Sequence, residues 1–349
     1  LPNGTFSNNQ WELIELFVNH SMCSQLIGRS YGDPHLNSFD NASYSFQTVG
    51  EFVLSKSEKN QFEVQTRQQA QTDNFSLNAA VAMNVAGDRV CYYASTKPDQ
   101  LNGNLRLNGL PLQMQGRTYF LPNGGVVRLE GRNYTVSWPT GEMVVFDVRS
   151  SNGYGFVNTT VHVFDCDRNN FQGLLGNANG IADDDFQGRD INRQRPTYMA
   201  FSTFGNPSLQ QASNIAEKEY LAYLAKDFAD DWRVTSQTTL FDYAPGTSTD
   251  YYTDRRFPMV HLTVADLNPT QRDQARAKCQ AMGISANEMG GCIFDQGYIN
   301  IAPNLPPTPN IPNPTGTVLN KVERPALNNN AQSSALRAMG LPLRALLRR

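Results

Sequence analysis

Two segments far apart in the chain carry the residues best suited to chemistry. One is Gly32-Asp33-Pro34-His35 followed by Phe39-Asp40; the other runs Gly176-Asn177-Ala178-Asn179-Gly180-Ile181-Ala182-Asp183-Asp184-Asp185-Phe186. The second places five carboxamide or carboxylate side chains within nine residues around a glycine, with no histidine or cysteine among them. Oxygen donors at this density suit a hard cation, because Ca2+ takes roughly six to eight oxygen ligands and a tight turn can deliver several together with a backbone carbonyl. The spacing is not that of an EF-hand, which closes on a bidentate Glu. Asn, Asp and Gly also dominate ordinary surface turns, so the loop by itself is open between a calcium site and an Asx-rich turn.

These segments need a scaffold, and the bulk numbers bound it. A chain of 349 residues can bury one large core or two smaller ones. A formal charge of -3 with 17% charged residues provides no global field for nucleic acid or for an anionic membrane. No apolar run is long enough to cross a bilayer, and residues 1–9 lack the basic start and apolar stretch of a signal peptide, so the expectation is a mature or excised piece of a secreted precursor. Six Asn-x-Ser/Thr sequons, at Asn3, Asn19, Asn41, Asn74, Asn133 and Asn158, permit glycosylation without establishing it.

From Tyr44 to Phe164 the apolar pattern has period two. Phe62, Val64 and Thr66, then Leu77, Ala79, Val81, Met83 and Val85, then Tyr134, Val136 and Trp138, then Val157, Thr159, Val161 and Val163 predict half-buried strands. Turn signals separate them at close intervals, and Asn108-Gly109 is the best hairpin candidate. The fold class is therefore mainly β, an antiparallel sandwich. After about Pro207 the character changes. Leu209, Ala212, Ile215, Ala216, Glu219, Tyr220, Tyr223 and Leu224 follow helical spacing, and Pro269 to Met282 reads as a second helix with Pro269 in its first turn. Cys279 and Cys292 flank Gly283 between helix-compatible residues, which suggests a local disulfide stapling two short helices; two separate buried thiols are the alternative.

Residues 303–330 are rich in Pro and Asn and read as an extended linker. Residues 331–349 form a basic, apolar-striped tail, either a frayed or membrane-touching end or an arm that docks on a neighbouring molecule. The expected organisation is an N-terminal segment (1–27), a β-sandwich domain (28–206), a helical region (207–302), the linker and the tail.

Gly32 to His35, Phe39-Asp40, Tyr44 to Phe46, Gly50-Glu51-Phe52-Val53-Leu54 and the loop from Leu174 to Phe186, in this order and spacing, resemble the von Willebrand factor type D domain over roughly residues 28 to 200. The following Phe228 to Val234 and Leu240 to Tyr243 more weakly resemble segments that accompany that domain. The resemblance implies a calcium ion held by Asp40, Asn177, Asn179, Asp184 and Asp185 with the Ile181 carbonyl, and Asp183 as an outer acceptor. Such an ion would tie an early hairpin to a late loop.

One position departs from the family. Its animal members carry a cysteine immediately before the Gly-Asn of the loop, paired to one just ahead of Gly-Asp-Pro-His; here that position is Leu175, while Cys23 is present upstream. The departure looks like the microbial branch. It leaves Cys23 to pair with Cys91 or Cys166 or with another chain; if Cys91 and Cys166 bridge, Cys23 stays unpaired or intermolecular. In some relatives the same tetrapeptide is cut at its Asp-Pro bond without a protease, which would make Asp33, Pro34 and His35 self-cleavage residues. A turn entering the first strands is the other reading of those residues.

The functional expectation is an extracellular, calcium-stabilised structural or adhesive module that contacts proteins and self-associates through its linker and tail as a filament or matrix subunit. The alternatives are a glycan- or lipid-binding module, with Trp138, Trp232 and the tyrosines as its surface, and a metal-assisted hydrolase. The four histidines, His20, His35, His162 and His261, have no HxxxH or HxH spacing and no nucleophile elbow or phosphate loop is present, so no enzyme is expected beyond self-cleavage. His162, inside a strand pattern, reads as a hydrogen-bonded structural histidine.

Overall fold

The computed structural model describes residues 23–95, 104–151, 153–190, 192–196, 210–286 and 288–299. Residues 1–22, with His20, and the linker and tail at 303–349 lie outside the described residues.

The period-two segments form fifteen short strands: β1 (Gln25–Tyr31), β2 (His35–Asn37), β3 (Ser43–Ser45), β4 (Gly50–Ser57), β5 (Phe62–Ala70), β6 (Ser76–Val85), β7 (Asp88–Tyr93), β8 (Leu105–Leu107), β9 (Leu110–Pro111), β10 (Thr118–Phe120), β11 (Val126–Glu130), β12 (Asn133–Ser137), β13 (Met143–Ser151), β14 (Tyr154–Phe164) and β15 (Phe171–Gln172). They make two antiparallel sheets, ordered β10-β11-β12-β13-β14-β1-β2-β3 and β15-β4-β5-β6-β7-β8-β9. Leu36, Val136, Val144, Phe146, Val157, Val161 and Val163 of the first sheet meet Phe52, Leu54, Phe62, Val64, Val81, Met83 and Val90 of the second in one core. This is the expected sandwich. Asn108-Gly109 forms a two-residue turn between β8 and β9, with φ of 50° and 86°, the positive values that a type I′ hairpin requires.

The strands differ from the expected half-buried pattern on their outer faces. Ala80, Ala82, Cys91 and Tyr93 point away from the sandwich core yet are buried beneath Leu240, Phe241 and Tyr243. On this face Arg67 is fully buried: its Nε donates to Glu51 Oε1 at 2.7 Å and its guanidinium lies 3.6 Å from the Tyr252 ring centre. The outer face of the first sheet is covered at the β1–β2–β3 corner by the helix Met289–Phe294, onto which the helix Pro269–Ala281 packs; Gly291 lies against His35 and Glu288 binds Arg29 at 2.6 Å. Asn268 caps the helix Pro269–Ala281, accepting from the Gln271 N–H, and Pro269 occupies its first turn. A Cys279–Cys292 disulfide joins the two helices, as expected.

The remaining cysteines pair differently from the bridge envisaged between Cys91 and Cys166. Cys23 bonds to Cys166 within the chain, so it is neither unpaired nor intermolecular. The reason is register. β1 and β14 are antiparallel with Gln25 opposite Phe164, so two residues outward Cys23 stands opposite Cys166, with Cα atoms 5.6 Å apart. Cys91 lies in β7 of the other sheet, buried, and its thiol donates to the Leu240 carbonyl.

Closing a loop between residues 143 apart, this bridge contributes about 5 kcal/mol in the chain-entropy model. Cys166→Ser is expected to lower the unfolding free energy by roughly 2–5 kcal/mol, read as a reduced denaturant midpoint.

Candidate metal centre

The early half of the site is a tight turn between β2 and β3. Ser38 N–H donates to Ala42 O at 2.8 Å and Ala42 N–H to Ser38 Oγ at 3.0 Å, with Asn41 at φ 66°. This geometry presents Asp40 outward while Phe39 turns into the core. The late half begins after β15, where Leu174 and Leu175 donate to the Val53 and Leu54 carbonyls, each at 3.0 Å, and Phe39 N–H donates to Leu175 O at 3.0 Å. Leu175, in place of the family's cysteine, is fully buried, and its side chain fills the space beside Gly28, where a Cβ would stand 2.8 Å from Leu175 Cδ1.

The loop then turns sharply at Gly176, φ 81°. Asp40 accepts from Asn179 N–H at 3.0 Å and from Gly180 N–H at 2.7 Å, joining the two halves across about 140 residues. Asn177 Oδ1 and Asn179 Oδ1 accept from the N–H groups of Asn179 and Ile181, two consecutive Asx turns. The amide nitrogens of Asn177 and Asn179 donate to Asp184 at 3.3 and 2.6 Å, and Asp185 Oδ1 accepts from Asn177 N–H at 3.3 Å. The Ile181 carbonyl accepts from Asp184 N–H. Phe186 anchors the end of the loop in the core against Tyr44, Tyr220 and Phe228, and its carbonyl accepts from Tyr223 Oη.

All six residues named for the ion therefore converge. Asp183 does not: it is turned outward and forms a two-pronged pair with Arg195. The donor set is wholly oxygen, as a hard cation requires. One of its oxygens, Asp185 Oδ2, is buried and has no hydrogen-bond partner. Burial pushes the Asp185 carboxyl up to about 8, with the Asp40 and Asp184 charges adding to it against hydrogen bonds from Ser38 and Asn177. Asp40 of the turn and Asp184 and Asp185 of the loop form no ion pair with arginine or lysine among the described residues, and their oxygens are of the type that a hard divalent cation takes.

The Gly-Asp-Pro-His segment lies elsewhere. Asp33 and His35 are fully buried, the Asp33 carbonyl accepts from Gln47 Nε2 at 2.7 Å, and the Pro34 carbonyl accepts from Phe46 N–H at 2.8 Å. His35 Nε2 stands 2.7 Å from Asp33 Oδ1 and 3.0 Å from Asp295 Oδ1, and Nδ1 stands 3.0 Å from Ser45 Oγ. Burial and the Asp295 charge hold the Asp33 carboxyl well above the usual range; burial alone would lower His35, but the two carboxylates outweigh it and push it up to about 10. Asp295 has no local sequence signal: it lies 260 residues from His35 in a stretch with no motif.

The other expected surface residues are placed differently. Trp138 and Trp232 are buried, Trp138 donating to the Asn84 carbonyl at 2.8 Å, so neither tryptophan offers a ligand platform. Tyr154 and Tyr251 are exposed beside a cleft of about 300 Å³. His162 is buried as expected, but both ring nitrogens lack hydrogen-bond partners, and burial lowers its pKa to about 4.

Residues 28–191 match the von Willebrand factor type D domain family. That stretch is a von Willebrand factor type D domain. Both halves of the candidate site and the Gly-Asp-Pro-His segment lie inside it, whereas Cys23 and Asp295 lie outside. Von Willebrand factor type D domains are typically extracellular, non-enzymatic modules that mediate protein contacts. No helix among the described residues is long and apolar enough to cross a membrane.

Gly176 is the loop residue on which the placement of Asp185 most visibly depends, since a Cβ there would stand 1.9 Å from Asp185 Oδ1. Gly176→Ala is expected to destabilise by roughly 1–3 kcal/mol. Gly153→Ala is the control, having a similar φ of 84° and open space around it. A midpoint loss larger at Gly176 than at Gly153, measured in parallel denaturant titrations, isolates the displacement of Asp185 from backbone strain.

Proposed function

We propose that the chain is a secreted structural or adhesive module whose sandwich is stapled by calcium. The observation that carries this reading is the junction of Asp40 with the N–H groups of Asn179 and Gly180 beside the orphaned Asp185 Oδ2. Asp40, Asp184 and Asp185, the side-chain oxygens of Asn177 and Asn179, and the Ile181 carbonyl would hold the ion, which supplies the positive charge that the loop lacks. Neutralising the three carboxylates removes their mutual repulsion, and a ligand bound only by the folded state raises its stability by mass action.

Two intrachain disulfides support an oxidising, extracellular setting. Because Cys23 is consumed within the chain, assembly through that thiol is not part of the proposal. Self-association is assigned instead to residues 303–349, whose Pro-rich stretch supplies reach and whose Leu and Arg residues supply an apolar and basic contact. Partners are proteins, including copies of the chain itself. The buried setting of Asp33 and His35 favours a structural role for the Asp33-Pro34 segment, since hydrolysis of its peptide bond requires water at a position that the fold encloses.

Saturating calcium at about 100 times its dissociation constant is expected to stabilise the fold by about 2.7 kcal/mol, seen as a higher unfolding temperature that a chelator reverses. Asp184→Asn should remove most of that response. A melting temperature indifferent to the chelator, in protein whose calcium content was measured beforehand, would reject the staple. Deletion of residues 303–349 should leave the melting temperature unchanged and abolish assembly seen by electron microscopy; filaments or oligomers that persist rule out the tail as the assembling arm.

A further inference from the structure

We propose that Asp33, His35 and Asp295 form a second metal site, for a first-row divalent cation of the zinc type. It shares no residue with the Asn/Asp loop and extends beyond the calcium reading.

Geometry is the first argument. One atom from each residue can be chosen so that all three lie within 4.8 Å of one another, with His35 Nε2 at 2.7 and 3.0 Å from the two carboxylate oxygens. Tetrahedral ligands at about 2.0–2.1 Å from zinc stand roughly 3.3 Å apart, so His35 Nε2 would draw back by about 0.3–0.6 Å from the two carboxylate oxygens to admit the ion. The imidazole is already oriented for it. Its Nδ1 is engaged with Ser45 Oγ at 3.0 Å, the outer hydrogen bond that characteristically fixes a ligating histidine and directs Nε2 at the metal.

Charge is the second argument. Asp33 Oδ2 and Asp295 Oδ2 are buried without hydrogen-bond partners, Asp33 Oδ1 is paired with His35 Nε2, and all three side chains are almost completely excluded from solvent. One imidazolium balances only one of two buried carboxylates, and the second is costly to bury in charged form unless a further cation compensates it. A divalent ion neutralises both, and the guanidinium of Arg29 is directed to Glu288. One imidazole nitrogen with carboxylate oxygens is a donor set that suits zinc, in contrast to the all-oxygen loop.

The backbone around the cluster is pared to glycine on two sides. A Cβ on Gly32 would stand 2.7 Å from Asp295 Oδ2, and one on Gly291 would stand 2.9 Å from the His35 ring. Because the site is sealed by the segment that carries Asp295, the ion enters while that segment docks. It would then crosslink the C-terminal helices to the first hairpin of the sandwich.

The test uses the full-length chain, refolded with its disulfides formed in calcium-containing buffer with added Zn2+, freed of loose metal by gel filtration and analysed by plasma mass spectrometry. A single zinc per chain is expected, with none retained by Asp295→Asn or His35→Gln. Ser45→Ala, which touches no ligand atom, should weaken zinc about 10–100-fold in chelator competition. Asp184→Asn should keep its zinc while losing the calcium response, which separates failure of this site from failure of the calcium staple. Wild-type protein that emerges without zinc overturns the proposal, as does zinc retained equally by all the variants. If Asp295→Asn and His35→Gln do not fold, an unchanged competition curve for Ser45→Ala overturns it alone.

Discussion

The pairing of β1 with β14 is the constraint from which the rest of the molecule follows. It joins residues 25–30 to residues 159–164, and so closes a long stretch of chain into one sheet. At one end of this ladder Cys23 and Cys166 are held opposite each other, and Asp165 accepts from Ser24 N–H at 2.9 Å. At the other end the chain turns through Gly32, whose N–H donates to Asn158 Oδ1 of β14, into the β2–β3 hairpin that carries Asp40. Between the two, Gly28 leaves room for Leu175 and Phe39. The loop that follows Leu175 is thereby delivered to Asp40 with little freedom left. Neither half of the candidate site is positioned by its own sequence.

Outside the sandwich core, the chain solves a second problem in the same manner on both sheets. Each outer face is covered by C-terminal residues, and each cover includes charge removed from water. On one side Arg67 is buried with Glu51 among Tyr93, Phe241, Tyr243 and Tyr252, where the aromatic faces and the carboxylate together replace its solvation. On the other, His35 lies between Asp33 and Asp295. Buried ion clusters contribute little net stability compared with apolar packing of the same volume, but removing one member leaves an uncompensated charge costing about 3–5 kcal/mol. Their effect is to make the correct docking of the C-terminal region much better than any displaced one.

What the amino-acid order made legible was local. The alternation in Phe62 to Thr66 and Leu77 to Val85, the Asn108-Gly109 turn, the helix that Pro269 opens and the short Cys279–Cys292 loop each depend on residues within a few turns of each other. The Asn/Asp loop was legible as a cation site only through its resemblance to a family, because Asx turns and cation sites use the same residues, and here the same oxygens: Asn177 and Asn179 cap main-chain N–H groups while standing beside Asp184. What was not legible was set by pairing across the chain. Cys166 could be matched to Cys23 only once the β1–β14 register was known. The burial of Ala80 and Ala82 depends on a cover more than 150 residues away, so small side chains on the second face of β6 gave no sign of it. Asp295 is one aspartate among many until the helix Met289–Phe294 sets it against His35.

The two clusters differ in the property that decides how an ion exchanges with its surroundings. Of the side chains proposed to hold calcium only Asp185 is buried; Asp40, Asn177, Asn179 and Asp184 are part-exposed, and Gly180 and Ile181 are open to solvent. A calcium ion bound there would follow its ambient concentration without unfolding of the domain, and the fold would be correspondingly sensitive to a chelator. The Asp33, His35 and Asp295 cluster is sealed, so exchange of an ion requires the C-terminal segment to lift from the sheet, an opening whose free energy approaches that of losing the cover itself. One site would then report on the medium in which the module works, and the other on the medium in which it folded. Such a division would suit a module working outside the cell, because a sealed ion would preserve the docking of the C-terminal region even where an exposed one had been stripped.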